Sequence, residues 1–247
     1  MEPLLEIKNL VGGYTHKNVL HGISFHVKQK EIVGLIGLNG AGKSTTIKHI
    51  IGLLHAKEGS IHVKGQTFSE NPKVYRKQIA YIPEVPILYD ELTLYEHLQL
   101  TAMAYGVSEE TFEQRLPRLL KEFNMEKQLH WFPVHFSKGM RQKVMIMCAF
   151  LIEPPLYIVD EPFVGLDPLG IQSYLELMDE MKERGSGVLM STHILATAER
   201  YCDRFIILHE GEIRAQGTLI ELRGQLNMPN ATLDDLYIML TKEDRHA

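Results

Sequence analysis

The chain has 247 residues, 45% of them apolar and 23% charged, and 26 Lys and Arg against 31 Asp and Glu give a formal charge of −5. That length and composition can bury a core, which excludes a largely disordered chain. The acidic balance argues against the broad basic face of a nucleic-acid binder, so no nucleic acid partner is expected. The longest apolar run, Val144–Ile152 between Lys143 and Glu153, is under half the roughly 20 residues of a membrane span. The start, Met1–Leu10, lacks a basic segment followed by an apolar one and reads as no secretory signal. The two cysteines, Cys148 and Cys202, stand among apolar residues and read as reduced packing thiols, which fits a cytosolic compartment.

In chain order, Leu4–Leu10 and Val19–Val27 are β-like, with Gly12-Gly13 expected to turn between them. Glu31–Ile36 is an apolar strand that runs into a glycine-rich loop and then a helix over Lys43–Leu54. Gly59–Val63 and Gln78–Ile82 read as short strands. Thr93–Tyr105 and Ser108–Phe123 are helices led by capping residues, and Glu96 stands at capping-box spacing from Thr93. Lys138–Ile152 is a third helix behind Ser137. Leu156–Asp160 and Gly187–Ser191 lack polar alternation, as strands buried on both faces of a parallel sheet do. Between them Asp167-Pro168 opens a helix whose apolar positions Ile171, Tyr174, Leu175 and Met178 follow helical spacing. Phe205–His209 and Glu212–Gln216 form a hairpin, and Thr232–Leu240 is a last amphipathic helix. The class is α/β: a mostly parallel sheet with crossover helices, an antiparallel β subdomain and an inserted helical subdomain.

The chemistry concentrates in few places. Gly37-Leu38-Asn39-Gly40-Ala41-Gly42-Lys43-Ser44 fits the template GxxxxGK[ST], between a strand and a helix as that template requires. Its glycines let backbone N–H groups close around phosphates, and the helix N-terminus adds a favourable dipole. Gly37, Asn39, Gly40, Ala41, Gly42, Lys43, Ser44 and Thr45 are therefore the phosphate-binding candidates; Lys43 reaches the β- and γ-phosphates and Ser44 ligates Mg²⁺. Downstream, Leu156–Val159 ends in Asp160 and Glu161. Asp160 is the metal candidate and Glu161 the group that orients or deprotonates the attacking water. Together the two motifs read as a P-loop NTPase.

Phe136-Ser137-Lys138-Gly139-Met140-Arg141-Gln142-Lys143 resembles the signature LSGGQ-x-QR of the ATP-binding cassette family. Gly165-Leu166-Asp167-Pro168 is similar to that family's D-loop, Ser191-Thr192-His193 to its H-switch, and Tyr14 to the aromatic that stacks on adenine. All stand in the family's order, and the resemblance covers essentially the whole chain. It implies a RecA-like P-loop NTPase in one domain over 1–247, with a helical subdomain near 84–154 and a C-terminal helical tail near 225–247. It also implies ATP and Mg²⁺ as cofactors and a homodimer with ATP held between the phosphate loop of one copy and Ser137 and Gly139 of the other. His193 would then contact the γ-phosphate and Asp167 would communicate across the interface. The partner implied is an integral membrane transporter subunit, which places the chain in the cytoplasm, peripheral on the inner face of the membrane, as an ATPase powering a transporter of the export type. The alternatives are a soluble ABC ATPase outside transport and a weakly hydrolysing regulatory module.

Three residues depart from the family pattern. Lys138 replaces the first signature glycine, Met140 the signature glutamine, and Glu84 the usual Q-loop glutamine, where it offers a charge to the metal in place of a neutral carbonyl. The apolar run Val85–Tyr89 beside Glu84 is, by the same resemblance, where the membrane subunit docks; packing inside the helical subdomain is the other reading.

Overall fold

The computed structural model describes residues 2–14 and 17–241. Its centre is a six-stranded sheet in the order β5-β6-β7-β3-β8-β9, built from β3 (Ile32–Ile36), β5 (Ile79–Ile82), β6 (Leu156–Asp160), β7 (Gly187–Thr192), β8 (Arg204–His209) and β9 (Glu212–Gly217). All neighbours are parallel except β9, which returns antiparallel along β8. Every residue of β3, β6 and β7 is buried, so the unbroken apolar runs mark strands covered on both faces. A second sheet, β2-β1-β4, joins β1 (Leu5–Tyr14), β2 (Lys17–Val27) and β4 (Glu58–Val63) antiparallel.

One hydrophobic cluster lies between the two sheets. A larger one fills the space between the central sheet and α3 (Leu94–Tyr105), α4 (Glu109–Glu122), α5 (Lys138–Ile152) and α6 (Pro168–Glu183). There Phe150 stacks on Tyr157 and meets Tyr174 edge-on. A third cluster lies under α7 (Leu195–Tyr201), α8 (Leu219–Gln225) and α9 (Leu233–Thr241).

The expected caps form. Thr93 and Glu96 make a reciprocal capping box, Ser108 and Ser137 accept from the third backbone N–H of their helices, and Asp167 accepts from Gly170 N–H at 2.6 Å. Two expectations are corrected. Gly12-Gly13 lies inside β1, at an irregularity of its pairing with β2. Neither residue has room for a side chain: a Cβ on Gly12 would stand 2.2 Å from the His49 ring, and one on Gly13 2.3 Å from the Lys17 carbonyl. The glycines are needed for close approach, and the strand reverses after Tyr14. The helix from Lys43, α1, ends at Ile50 and not Leu54, because Gly52 takes a left-handed φ of 75° and Leu53 N–H returns to the Lys48 carbonyl. Three short helices were not anticipated: α2 (Pro72–Lys77), α7 and α8. Among the described residues no helix is long and apolar enough to cross a membrane.

Candidate functional site

The phosphate loop leaves the buried end of β3 and feeds α1. Gly40 and Gly42 hold φ of 88° and 111°, the left-handed region that a side chain disfavours. Gly37 packs so closely on the Leu208 carbonyl that a Cβ would lie 2.4 Å from it. The β8–β9 turn braces the loop from outside: Gly211 N–H donates to the Ala41 carbonyl at 2.9 Å, and His21 N–H to the Gly211 carbonyl at 2.9 Å. Leu38, Asn39 and Gly40 form the exposed rim of the loop, and Ser44 is exposed at the start of α1. Thr45 is buried on the inner face, its carbonyl against His49 Nδ1 at 2.8 Å.

Lys43 is buried. Its ammonium donates to the Gly37 carbonyl at 2.7 Å and the Leu38 carbonyl at 3.3 Å. Burial lowers its pKa, and the charges of Glu161, Asp160 and Glu84 oppose that shift. The charges of the three carboxylates proposed from sequence therefore all act on this one cation. Asp160 and Glu161 are both buried at the end of β6, while Glu84 is exposed just past β5. Ser191 Oγ donates to Asp160. Glu161 has a left-handed φ of 48° and accepts from Thr192 Oγ1 at 3.1 Å and His193 Nδ1 at 2.7 Å. Parallel pairing of β6 and β7 sets Asp160 beside Ser191, which brings His193 to Glu161.

The donors fit Mg²⁺. Among the described residues no three His, Cys, Asp or Glu side chains converge as a metal cage. A nucleotide-bound Mg²⁺ needs none, since one or two carboxylates, a hydroxyl, phosphates and waters complete its shell. Asp160, Glu84 and Ser44 offer a buried carboxylate, an exposed carboxylate and an exposed hydroxyl of those kinds.

Tyr14 is 44% exposed, and Lys48 of α1 donates to its hydroxyl at 2.9 Å with the ammonium 5.2 Å from the ring centroid. That bond outweighs burial and lowers the Tyr14 hydroxyl pKa. The ring is therefore tethered to the helix behind the phosphate loop.

The remaining predicted residues gather around α5. Ser137 caps it, accepting from Met140 N–H at 3.2 Å. Gly139 lies against the D-loop, where a Cβ would come within 2.4 Å of the Gly165 carbonyl. The stem of exposed Lys138 runs beside Gly165. Asp167 caps α6 and pairs with Lys143 Nζ at 3.0 Å; the Gly170 N–H first, then Lys143, holds its carboxyl below the usual range. Ser137, Gly139 and Asp167 form one group where the start of α5 meets the D-loop.

Sequence reasoning missed several contributors. Lys48 holds Tyr14, and Lys143 holds Asp167. Gln142, fully buried, donates to the Pro83 carbonyl at 3.3 Å, next to Glu84. The Leu38 N–H donates to the Tyr237 hydroxyl of α9 at 3.1 Å. No local pattern announces these contacts, which join residues 24 to 199 positions apart.

A parallel sheet whose strand ends in a glycine loop with a buried lysine, facing two carboxylates at the end of a neighbouring strand, defines a P-loop nucleotide hydrolase. The family model described as ABC transporter matches residues 20–164. The ABC-type transporter ATP-binding protein EcsA of Bacillus subtilis is 68% identical over 98% of both chains. The uncharacterised ABC transporter ATP-binding protein YthP of the same organism is 42% identical over 99% of this chain and all of its own. A solved structure described as the ATP-binding subunit of an ABC transporter superposes with a TM-score of 0.95 at 62% identity, over 96% of this chain and 99% of the other. The chain belongs to the ABC transporter family, as an ATP-binding subunit and ATPase.

Proposed function

We propose that the chain is the motor subunit of an export-type transporter, working as one cassette over 1–247 with the helical insertion near 84–154 and the C-terminal helices as its parts. Two copies hold ATP between them, the phosphate loop of one against Ser137 and Gly139 of the other. The observation that carries hydrolysis is the Glu161–His193 bond, formed beside buried Lys43. Lys43 leaves the loop carbonyls for the β- and γ-phosphates. Glu161 orients a water on the γ-phosphorus and takes its proton; the bond to the β–γ bridging oxygen breaks, giving ADP and inorganic phosphate. His193, held by Glu161 through Nδ1, has Nε2 left as the atom that contacts the γ-phosphate. Mg²⁺, when bound by Ser44, Asp160 and Glu84, supplies charge that offsets the phosphate oxygens.

Tyr14 stacks on adenine in this reading. Tyr14→Ala is expected to weaken ATP binding about 5- to 150-fold, the range for losing one base–aromatic stack. Unchanged affinity by titration calorimetry would remove Tyr14 from the site.

Coupling to the membrane subunit falls on the segment after Glu84. Val85, Ile87 and Tyr89 are 65%, 78% and 64% exposed. Leu88 packs against the cluster under the helices, while Val85, Ile87 and Tyr89 face outward. The segment is held in shape from behind, since Tyr89 N–H donates to His97 Nε2 at 2.9 Å and its ring stacks on His97. An apolar, exposed and locally braced segment beside a metal-facing carboxylate suits a mechanical contact. The partner in this reading is an EcsB-like integral membrane subunit, and the chain sits peripherally on the cytoplasmic face of the membrane.

A photocrosslinking residue at Ile87 or Tyr89, used in native membranes and read by mass spectrometry, tests this. The expected product is one abundant adduct with a polytopic membrane protein. Adducts with soluble proteins or nucleic-acid machinery alone, or none despite full labelling, would overturn the docking assignment and favour a soluble role.

A further inference from the structure

We propose that Tyr237 of the C-terminal helix is a positioning residue for the phosphate loop, so that α9 sets how tightly the chain holds nucleotide. The inference rests on residues 37–45 being the phosphate cradle, as read above. Tyr237 is buried in the cluster that also contains Ile36, the last residue of β3 before the loop begins. Its hydroxyl accepts the Leu38 N–H at 3.1 Å, while the carbonyl of the same residue accepts from Lys43 at 3.3 Å. The Gly37–Leu38 peptide is thus held at its N–H by α9 and at its Gly37 carbonyl, at 2.7 Å, by the lysine that must release it for phosphate. Leu38 itself is an exposed rim residue, so its own side chain does little to fix this peptide.

Helix α9 is also tied to the other nucleotide-facing element. Its first N–H, from Leu233, donates to Glu199 of α7 at 2.7 Å, and α7 begins two residues after His193. Arg223 of α8 bonds the Ala231 carbonyl at 2.7 Å and pairs with Glu199 at 3.9 Å. One helix at the chain's end therefore holds both the loop that meets the β- and γ-phosphates and the helix that follows the histidine. When the Tyr237 hydroxyl holds Leu38, the loop is already ordered before ATP arrives, and binding does not have to order it.

Tyr237→Phe deletes only the hydroxyl and keeps the ring in its cluster. In the full chain, its Kd for ATP and for ADP by titration calorimetry is expected to rise about three- to tenfold, the loss of one ordinary hydrogen bond. Without nucleotide, hydrogen exchange in the peptide spanning residues 36–42 is expected to quicken, with the thermal midpoint within a few degrees of the parent. A merely structural tyrosine would shift the midpoint and leave local exchange alone. Wild-type affinity and wild-type exchange in Tyr237→Phe overturn the proposal, including the case in which Tyr237→Ala loses affinity, since that loss would then come from packing. Lys43→Ala separates the two readings: if it keeps ATP affinity, the cradle assignment fails; if it loses affinity while Tyr237→Phe does not, only the role of Tyr237 fails.

Discussion

Glu161→Gln is expected to bind ATP about as well as the parent and hydrolyse it at least 100-fold more slowly, the loss of a general base. The substitution is close to isosteric, so the local structure has reason to survive it. His193 Nδ1–H can still donate to the amide oxygen as it does to Glu161 at 2.7 Å. Thr192 Oγ1, now a donor at 3.1 Å, can turn its hydroxyl to accept from the new amide N–H. The left-handed backbone at this position is unchanged, because Gln meets the same cost there as Glu. What disappears is the proton acceptor and one negative charge next to Lys43. With hydrolysis blocked and binding intact, the ATP-bound dimer should accumulate, visible as a doubling of mass by light scattering on a sizing column with ATP and Mg²⁺. Turnover within a few-fold of the parent would remove Glu161 as the base.

Much of this architecture is legible in the sequence because it is local. The buried strands β3, β6 and β7 announce themselves as apolar runs without alternation, and Thr93, Ser108, Ser137 and Asp167 all cap the helices they precede. The phosphate loop is contiguous, so its spacing alone locates it. Gly12-Gly13 misled because a glycine pair serves a turn and a tight packing contact equally well, and only the His49 ring against Gly12 distinguishes them. The helices α2, α7 and α8 span six or seven residues, too few for a helical period to show, although Asn71-Pro72 and the Thr218–Glu221 capping box are start signals in plain view. The nearness of His193 to Glu161 follows from the parallel register of β6 and β7, which no linear pattern contains; only the resemblance pointed to it. Tyr237 on a helix face reads as a core aromatic, and its hydroxyl bond to Leu38 is invisible until the fold closes.

Lys43→Ala is expected to weaken ATP binding by well over an order of magnitude. Truncating one partner of a desolvated, hydrogen-bonded charge pair costs about 2–5 kcal/mol, which is roughly 30- to several-thousand-fold in Kd. The lysine is held in a poor environment for its charge: burial lowers its pKa, and only Glu161, Asp160 and Glu84 resist. It bonds two loop carbonyls, at 2.7 and 3.3 Å. Phosphate oxygens carry full negative charge and bind an ammonium more strongly than neutral carbonyls do, so ATP draws the ammonium off the loop. Alanine leaves nothing to make that exchange. It also leaves two adjacent carboxylates without their cation, which repels an incoming polyphosphate. Lys43→Arg is not expected to rescue the loss, because a planar fork does not replace a compact charge seated in a glycine cradle. The loop can take up the change without unfolding, since the Leu38 carbonyl belongs to an exposed rim residue and water can replace the lysine there. The check is the thermal midpoint with and without ATP: the parent should rise with ligand as mass action requires, and Lys43→Ala should not. A midpoint that still climbs with ATP in Lys43→Ala, or an unchanged Kd by calorimetry, would place the nucleotide somewhere other than this loop.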